Sequence, residues 1–317
     1  MKIVILDGYT LNPGDLSWEA LEALGQVTIH DRTAPEQIVE RAAGAEAVIV
    51  NKVVLSESTL AQLPQLRYVG VMATGYNNID VAAARKQNIV VTNAKAYSSA
   101  STAQHTFALL LALTNHAELH SQSARAGEWS QTPDFCYWKT PLVELAGKTM
   151  GLIGLGDIGA QVAQLAKAFG MKVLVHRKNP AKTGDEDIEL ASVEEVFRRS
   201  DVVSLHCPLT DETKEIVNAR SLGWMKPSAF LLNTGRGGLV REQDLADALA
   251  AGTLAGAGLD VLSTEPPQAD NPLLSAPNCL VTPHIAWASY ESRKRLLQIV
   301  VDNVKAFQEG TPQNVVS

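Results

Sequence analysis

Three segments of the sequence each place one chemically active side chain directly after a run of apolar residues. Arg236 follows AFLLN within NTGRGG, Glu265 follows LAGAGLDVL, and His284 follows CLVTP. If these runs are strands of a parallel sheet, their carboxyl ends lie at one edge, where ligands of such sheets bind. Each residue alone is also compatible with a structural role, as a solvated turn arginine, a loop acid before prolines, or a satisfied histidine. Together they predict one site that handles both a proton and an anion.

The chemistry of a carbonyl reduction assigns a role to each of the three. Negative charge that develops on a carbonyl oxygen requires a proton donor, and we expect His284 to be that donor. A nearby carboxylate stabilises imidazolium over imidazole, so Glu265 is predicted to be its partner. The planar guanidinium of Arg236 can hold a substrate carboxylate through two parallel hydrogen bonds. The set predicts hydride transfer to a small 2-oxo acid.

A glycine motif predicts where the source of the hydride binds. Gly154, Gly156 and Gly159 form G-x-G-x-x-G between the apolar run TMGLI and the helical pattern DIGAQVAQLAKAFG. The first glycine makes a tight turn, the second lets a pyrophosphate approach the backbone, and the third lets helix and strand pack closely. The helix N-terminus favours the phosphate charge. The motif in this context predicts a dinucleotide.

The residues at the end of the next strand predict which dinucleotide binds. About twenty residues past the motif, where NAD sites place a carboxylate for the ribose 2′-hydroxyl, the sequence has His176, Arg177 and Lys178. Arg177 would attract a 2′-phosphate that a carboxylate would repel. The sequence therefore favours NADP(H). The alternative is that these are solvated cations at a strand end and that NAD(H) binds.

Short β-branched runs alternate with helical patterns, which predicts an α/β fold with parallel sheets. Five runs precede residue 95 and six follow it, the six being KTMGLIGLG, KVLVHR, DVVSLHCP, AFLLNTGR, LAGAGLDVL and CLVTPHIA. The length of 317 residues favours two domains. We expect one long helix from Ser101 to about Ala126 and a last helix from Ser289 to Glu309, which could pack on either half.

Composition restricts the class of protein. The 27 Lys and Arg residues against 34 Asp and Glu residues give a net charge of -7, which argues against a nucleic-acid partner. Cys136, Cys207 and Cys279 are widely spaced without C-x-x-C, so neither disulfides nor a metal site is expected. No apolar run has the length of a signal peptide or a membrane span. A cytoplasmic enzyme is expected.

The motifs GLIGLGDIG, LHCPLT, LLNTGRGGLV, GAGLDVLSTEPP and TPHIAW resemble, in order and spacing, those of the D-isomer-specific 2-hydroxyacid dehydrogenases. The resemblance covers nearly the whole chain. It implies two doubly wound parallel-sheet domains: a Rossmann nucleotide domain at residues 98–287 and a smaller, flavodoxin-like substrate domain at 1–97 and 288–317. It implies catalytic roles for Arg236, Glu265 and His284, and a homodimer that pairs through the nucleotide domains.

The resemblance also implies ligand contacts. In ATGYNNID, the backbone N–H groups of Gly75 and Tyr76 would cradle the substrate carboxylate, and Lys52 matches a cleft position unless it is a solvated lysine after a strand. Asp260 would bind the nicotinamide carboxamide. The other cofactor contacts expected from the motif and the resemblance are Thr102, Gly154, Gly156, Asp157, Ile158, Gly159, His176, Arg177, Lys178, Cys207, Pro208, Thr213, Thr234 and His284. Two positions depart from many members: Arg177 replaces an acid, and Gln104 replaces a glutamate.

The sequence allows several interpretations of the substrate and of the activity. GYNNID, FCYWK and HIAW most resemble glycerate dehydrogenases, also called hydroxypyruvate reductases, which implies hydroxypyruvate or glyoxylate. A phosphoglycerate dehydrogenase is a weaker reading, because the chain ends at Ser317 without the regulatory domain that many of those enzymes carry. The aromatic segment 129–138 is a packed loop, a subunit contact or a pocket wall, and Trp138 or Trp287 in a pocket would admit a bulkier 2-oxo acid. A dinucleotide-sensing corepressor of the same fold is the alternative of another class.

Overall fold

A computed structural model describes residues 1–178 and 187–317, and the chain divides into two compact units. Unit 1 comprises Met1–Ser98 and Ala288–Ser317, and unit 2 comprises Ser99–Trp287. The boundaries expected from the sequence fall between 97 and 98 and between 287 and 288. Unit 2 thus begins one residue later than expected.

Unit 1, all of whose residues are described, is built on a five-stranded parallel sheet in the order β2-β1-β3-β4-β5. Its strands are β1 (Lys2–Ile5), β2 (Gln26–Ile29), β3 (Ala47–Val50), β4 (Tyr68–Val71) and β5 (Val90–Thr92). Its helices are α1 (Glu19–Glu22), α2 (Ile38–Ala42), α3 (Glu57–Leu60), α4 (Val81–Lys86) and α12 (Tyr290–Gln308). The strand order is that of a flavodoxin-like sheet, which confirms the predicted fold class of this half.

The C-terminal helix α12 packs with unit 1. The Ser289 hydroxyl caps its first turn by accepting a hydrogen bond from the backbone N–H of Ser292. The buried Arg293 guanidinium binds both carboxylate oxygens of Asp15 at 2.7 and 2.6 Å and donates to the Leu11 carbonyl at 3.0 Å. These hydrogen bonds from Arg293 lower the pKa of Asp15. The ion pair fixes the last helix to the N-terminal half of unit 1.

Within the described part of unit 2, seven parallel strands form one sheet in the order β12-β11-β10-β9-β6-β7-β8. The strands are β6 (Thr149–Ile153), β7 (Lys172–His176), β8 (Ile188–Leu190), β9 (Val202–Leu205), β10 (Phe230–Asn233), β11 (Gly256–Leu259) and β12 (Cys279–Val281). The helices are α5 (Ser99–Asn115), α6 (Ala117–Arg125), α7 (Glu128–Gln131), α8 (Asp157–Ala168), α9 (Val193–Arg199), α10 (Ala219–Leu222) and α11 (Glu242–Ala250). The order reverses between β6 and β9, as in a Rossmann sheet.

Two details of the predicted unit 2 are wrong. The sequence predicts six strands, but β8 adds a seventh edge strand, whose three residues, IEL, are too short and too polar to give a strand pattern. The sequence also predicts one helix from Ser101 to about Ala126. The helix ends at Asn115, because His116 adopts a left-handed backbone with φ of 46°, and α6 starts after it. The apolar spacing continues across this break and therefore hides it.

Strand register and one close contact position the loops that follow the sheet. Asn233, Leu259 and Val281 are aligned across β10, β11 and β12, so the residues that follow them, at positions 234, 260 and 282, come to the same edge together. Helix α5 packs closely on β11 because Gly258 has no side chain: a Cβ there would lie 3.0 Å from the Leu109 Cβ. Helix α5 therefore lies within hydrogen-bonding reach of these strand ends.

Candidate active site

His284 and Glu265 form a hydrogen-bonded pair at the ends of neighbouring strands. The loop after β12 carries His284, the loop after β11 carries Glu265, and Nδ1 of the imidazole lies 2.6 Å from Oε2 of the carboxylate. Because an ionised carboxylate only accepts hydrogen bonds, Nδ1 carries the proton of this bond. Nε2 is then the ring nitrogen left to exchange a proton with a ligand.

Arg236 lies in the loop after the adjacent strand β10. A Cβ on Gly237 would overlap the carbonyl group of Leu262, so only glycine lets this loop approach the loop that leads to Glu265. The Leu262 backbone N–H in turn donates to Oε1 of Glu265 at 3.1 Å. The Arg236 side chain is exposed, and no carboxylate among the described residues pairs with it. Its guanidinium remains available for an anionic ligand.

The glycine motif lies between β6 and α8 and has the shape of a phosphate cradle. Gly154 has φ of 101°, and a Cβ on it would lie 2.5 Å from the His206 carbonyl oxygen. A Cβ on Gly159 would lie 2.6 Å from the Gly154 carbonyl oxygen, whereas one on Gly156 would meet no atom within 4 Å. Within the described chain, the backbone N–H groups of Gly156, Asp157 and Ile158 have no acceptor. These residues fit the diphosphate of a dinucleotide.

The three cations after the motif lie in different surroundings. His176 ends β7, its Nδ1 lies 3.2 Å from the Ala191 carbonyl oxygen, and its own carbonyl accepts from the Gly154 N–H at 2.8 Å. Lys178 is exposed and forms an ion pair with Glu212 at 2.7 Å. Arg177 is half-buried, and no ion pair formed among residues 1–178 and 187–317 involves it. The three side chains thus differ in whether a partner among these residues already engages them.

The other predicted cofactor residues of unit 2 lie around the same edge of the sheet. Thr102 and Thr234 are buried. Cys207 follows β9, and burial raises the pKa of its thiol. The Thr213 hydroxyl donates to the Pro208 carbonyl at 2.7 Å and fixes the turn after Cys207. Their contacts with a cofactor stay predictions.

Asp260, which the sequence predicts as a cofactor contact, is buried, and its carboxylate is hydrogen-bonded within the protein. It is 1% exposed, and its carboxylate accepts hydrogen bonds from the Thr282 hydroxyl at 2.6 Å and from the backbone N–H groups of Ile285 and Ala286 at 2.9 and 2.8 Å. Burial alone would raise the pKa of Asp260, but bonds from His105, Thr282 and these N–H groups outweigh burial and lower it. Its predicted contact with a carboxamide stays a prediction.

The substrate residues predicted in the first half of the sequence lie in two loops of unit 1. Lys52 is exposed after β3, and the Asp7 carboxylate fixes its backbone by accepting its N–H at 2.6 Å and that of Val53 at 2.9 Å. Gly75 and Tyr76 follow β4, and their backbone N–H groups have no acceptor in the described part of the chain. These two N–H groups suit an anion.

Sequence reasoning missed the residues of α5 that contact this edge. Ser101 Oγ donates to the Ala286 carbonyl at 2.6 Å, His105 Nε2 lies 3.0 Å from Thr282 Oγ1, and the Thr106 and Thr234 hydroxyls lie 3.0 Å apart. In the sequence these residues form a polar stripe at helical spacing within an otherwise apolar helix, and this stripe could have indicated them. Gln104, by contrast, is exposed on α5.

Comparisons with known proteins identify the family. A family model described as "D-isomer specific 2-hydroxyacid dehydrogenase, NAD binding domain" matches residues 107–286. A hydroxypyruvate reductase of Blautia hydrogenotrophica is 48% identical over 322 aligned residues, which cover 100% of both chains. The chain belongs to the D-isomer-specific 2-hydroxyacid dehydrogenase family.

Two further similar proteins support the same assignment. A glycerate dehydrogenase of Methylorubrum extorquens is 45% identical over 89% of this chain and 88% of its own. An acyclic imino acid reductase solved with NADPH and D-Arg has a TM-score of 0.87 and 32% identity, with 100% of both chains covered. As a 2-hydroxyacid dehydrogenase the protein is an NAD(P)-dependent oxidoreductase that acts on CH–OH groups, and it binds a nicotinamide dinucleotide.

Two features are absent from the part of the chain that the structure describes. No helix in residues 1–178 and 187–317 combines the length and the hydropathy that a membrane-spanning segment requires. The same residues contain no group of three or more His, Cys, Asp or Glu side chains arranged to hold a metal ion.

The glycine cradle predicts different effects for two alanine substitutions. Gly156→Ala should weaken binding of the dinucleotide roughly tenfold, or about 1.4 kcal/mol, because its Cβ occupies the space left for the phosphate, while Tm stays unchanged. Gly154→Ala should lower Tm, because its Cβ meets the His206 carbonyl. Dinucleotide titration by fluorescence and thermal unfolding measure the two effects. Unchanged binding by Gly156→Ala would contradict the cradle.

Proposed function

We propose that the protein is a reductase that converts hydroxypyruvate or glyoxylate to the D-2-hydroxy acid with NADPH as the preferred donor. The observation that carries the proposal is the 2.6 Å pair between His284 and Glu265 at the carboxyl edge of a dinucleotide-binding sheet. The names of two full-length or nearly full-length relatives, a hydroxypyruvate reductase and a glycerate dehydrogenase, support the substrate class.

Each of the three charged side chains has one task in this proposal. When bound, a reduced nicotinamide would supply the hydride that reduces the carbonyl carbon of the substrate. Nε2 of His284 donates a proton to the carbonyl oxygen, while Nδ1 keeps its hydrogen bond to Glu265, which stabilises the imidazolium before the transfer. Arg236 binds the substrate carboxylate and stabilises the charge that develops on the oxygen.

Two loops of unit 1 carry the other substrate contacts that the sequence predicts. The backbone N–H groups of Gly75 and Tyr76, which have no acceptor among residues 1–178 and 187–317, suit a carboxylate, and Lys52 is an exposed cation. Donors of this kind match a small, polar anion better than a large apolar acid. Hydroxypyruvate and glyoxylate are therefore the first substrates to test.

Preference for NADPH is proposed from the environment of Arg177. Lys178 is engaged by Glu212, whereas Arg177 directly follows the strand whose last carbonyl binds the glycine loop. A guanidinium at this position can bind a 2′-phosphate through two hydrogen bonds. The relative solved with NADPH supports the same preference.

The cytoplasmic location and the homodimer expected from the sequence stay predictions. An exposed aromatic segment in unit 2 supports the homodimer, since large apolar side chains in contact with water often mark an interface. In this segment Phe135 is 89% exposed and Trp138 is 68% exposed.

A substrate panel tests the proposed reaction. The protein with NADPH should oxidise the nicotinamide when hydroxypyruvate or glyoxylate is added, and should act more slowly on phosphohydroxypyruvate and on bulky 2-oxo acids. The loss of nicotinamide absorbance measures the rate. A protein that binds NADPH but reduces none of these acids would instead be a dinucleotide-sensing binding protein.

Arg177→Asp should reverse the cofactor preference. The substitution replaces an attraction for the 2′-phosphate with a repulsion, so the ratio of kcat/KM for NADPH to that for NADH should fall at least tenfold. Lys178→Ala is the matched control and should change this ratio less, because Lys178 is already paired with Glu212. Unaltered protein that clearly prefers NADH would overturn the prediction.

His284→Gln should lower kcat for reduction by about 10²- to 10⁴-fold, because a carboxamide cannot supply the proton. His120→Gln, on α6, serves as the control. If His284→Gln keeps most of its kcat, another group donates the proton.

A further inference from the structure

A chain of hydrogen bonds runs from α5 to the loop that carries His284. Nε2 of His105 lies 3.0 Å from the Thr282 hydroxyl, which lies 2.6 Å from Oδ1 of Asp260. Asp260 Oδ1 also accepts the Ile285 N–H, and its Oδ2 accepts the Ala286 N–H. The Asp260 carbonyl accepts the N–H of His284 itself at 2.8 Å. Asp260 therefore binds three consecutive backbone groups of one loop.

The direction of each bond in this chain follows from the donors available. Asp260 is ionised, since its pKa is lowered, and so it can only accept. The single hydroxyl proton of Thr282 must then point at Asp260. Its oxygen is left to accept from His105, so Nε2 of His105 carries a hydrogen. His105 is therefore a donor to this cluster: it lies 3.0 Å from the Thr282 oxygen and 3.4 Å from Oδ1 of Asp260.

The loop at the end of this chain has a backbone conformation that needs support. His284 has φ of 53°, in the left-handed region, which is unfavourable for a residue with a side chain. Three backbone N–H bonds to Asp260 and the bond from Ser101 to the Ala286 carbonyl hold this conformation. The direction of the His284 imidazole therefore depends on the position of the Asp260 carboxylate.

We propose that His105 is a positioning residue for the reaction: through Thr282 and Asp260 it holds the 282–286 loop so that His284 presents Nε2 to the substrate. The inference rests on the proposed function, because it concerns the proton donor of that reaction. His105 touches neither His284 nor Glu265 in any hydrogen bond or ion pair of the described chain. Its effect is transmitted through the loop.

His105→Leu and His105→Gln test the proposal as a pair. Leucine removes the donor, whereas the glutamine amide restores an N–H near the position of Nε2. His105→Leu should lower kcat at least tenfold, change KM for NADPH less than threefold, and increase the solvent deuterium isotope effect on kcat, since proton transfer becomes slower. His105→Gln should recover most of the lost rate.

A second measurement needs neither cofactor nor turnover. Hydrogen exchange of the Ile285 and Ala286 amides should be at least tenfold faster in His105→Leu, because their acceptor is no longer held. Thr282→Val should have the same effect and serves if His105→Leu does not fold. Thr114→Val is the matched control: among the described residues its buried hydroxyl bonds only carbonyls of its own helix, and so neither this exchange nor kcat should change.

The outcomes separate this inference from the proposed function. Unchanged kcat and unchanged exchange in a folded His105→Leu variant would overturn the positioning role. A fall in kcat of the same size in Thr114→Val would also overturn it, because the effect would then report general damage to α5. If the unaltered protein reduces no 2-oxo acid but the Ile285 and Ala286 amides exchange faster in His105→Leu, the proposed reaction is refuted. The inference that His105 holds the 282–286 loop is then still supported.

Discussion

Asp260 carries a charge that is almost completely removed from water, and the loop around His284 depends on how this charge is satisfied. A buried carboxylate is costly unless several donors surround it. Here the donors are a hydroxyl, two backbone N–H groups of the loop and, at 3.4 Å, the imidazole of His105. The requirement to pair one charge thus fixes the backbone on which the proposed proton donor stands.

The parallel register of β10, β11 and β12 makes this arrangement possible. Because these strands are aligned, they end at the same edge of the sheet, and the three loops that follow them become neighbours although they are distant in sequence. Two glycines adjust the distances. Gly258 allows α5 to pack on β11, and Gly237 allows the Arg236 loop to pack against the backbone that leads to Glu265. The site results from strand alignment together with a few close backbone contacts.

The sequence predicts those parts of the site that follow a general rule about parallel sheets. Because Glu265 and His284 both follow apolar runs, strand ends alone predicted that they are close, and the structure pairs them. The sequence does not predict the contact of His105 with Thr282, since the two residues are 177 positions apart and no local pattern indicates such a contact. For the same reason the sequence, which predicts Lys178 as a cofactor contact, does not show its ion pair with Glu212, 34 residues away. The break at His116 was missed because apolar spacing does not report a left-handed residue.

The central claim is that the His284 imidazole, oriented by Glu265 and by the loop bound to Asp260, meets the carbonyl oxygen of a 2-oxo acid. A crystal structure of the protein with the oxidised dinucleotide and the unreactive anion oxalate tests it most directly. The account predicts one oxalate oxygen within hydrogen-bond distance of Nε2 of His284, a carboxylate on the Arg236 guanidinium, and Nδ1 still bound to Glu265. An oxalate bound away from His284, or an imidazole whose Nε2 points away from the ligand, would contradict it.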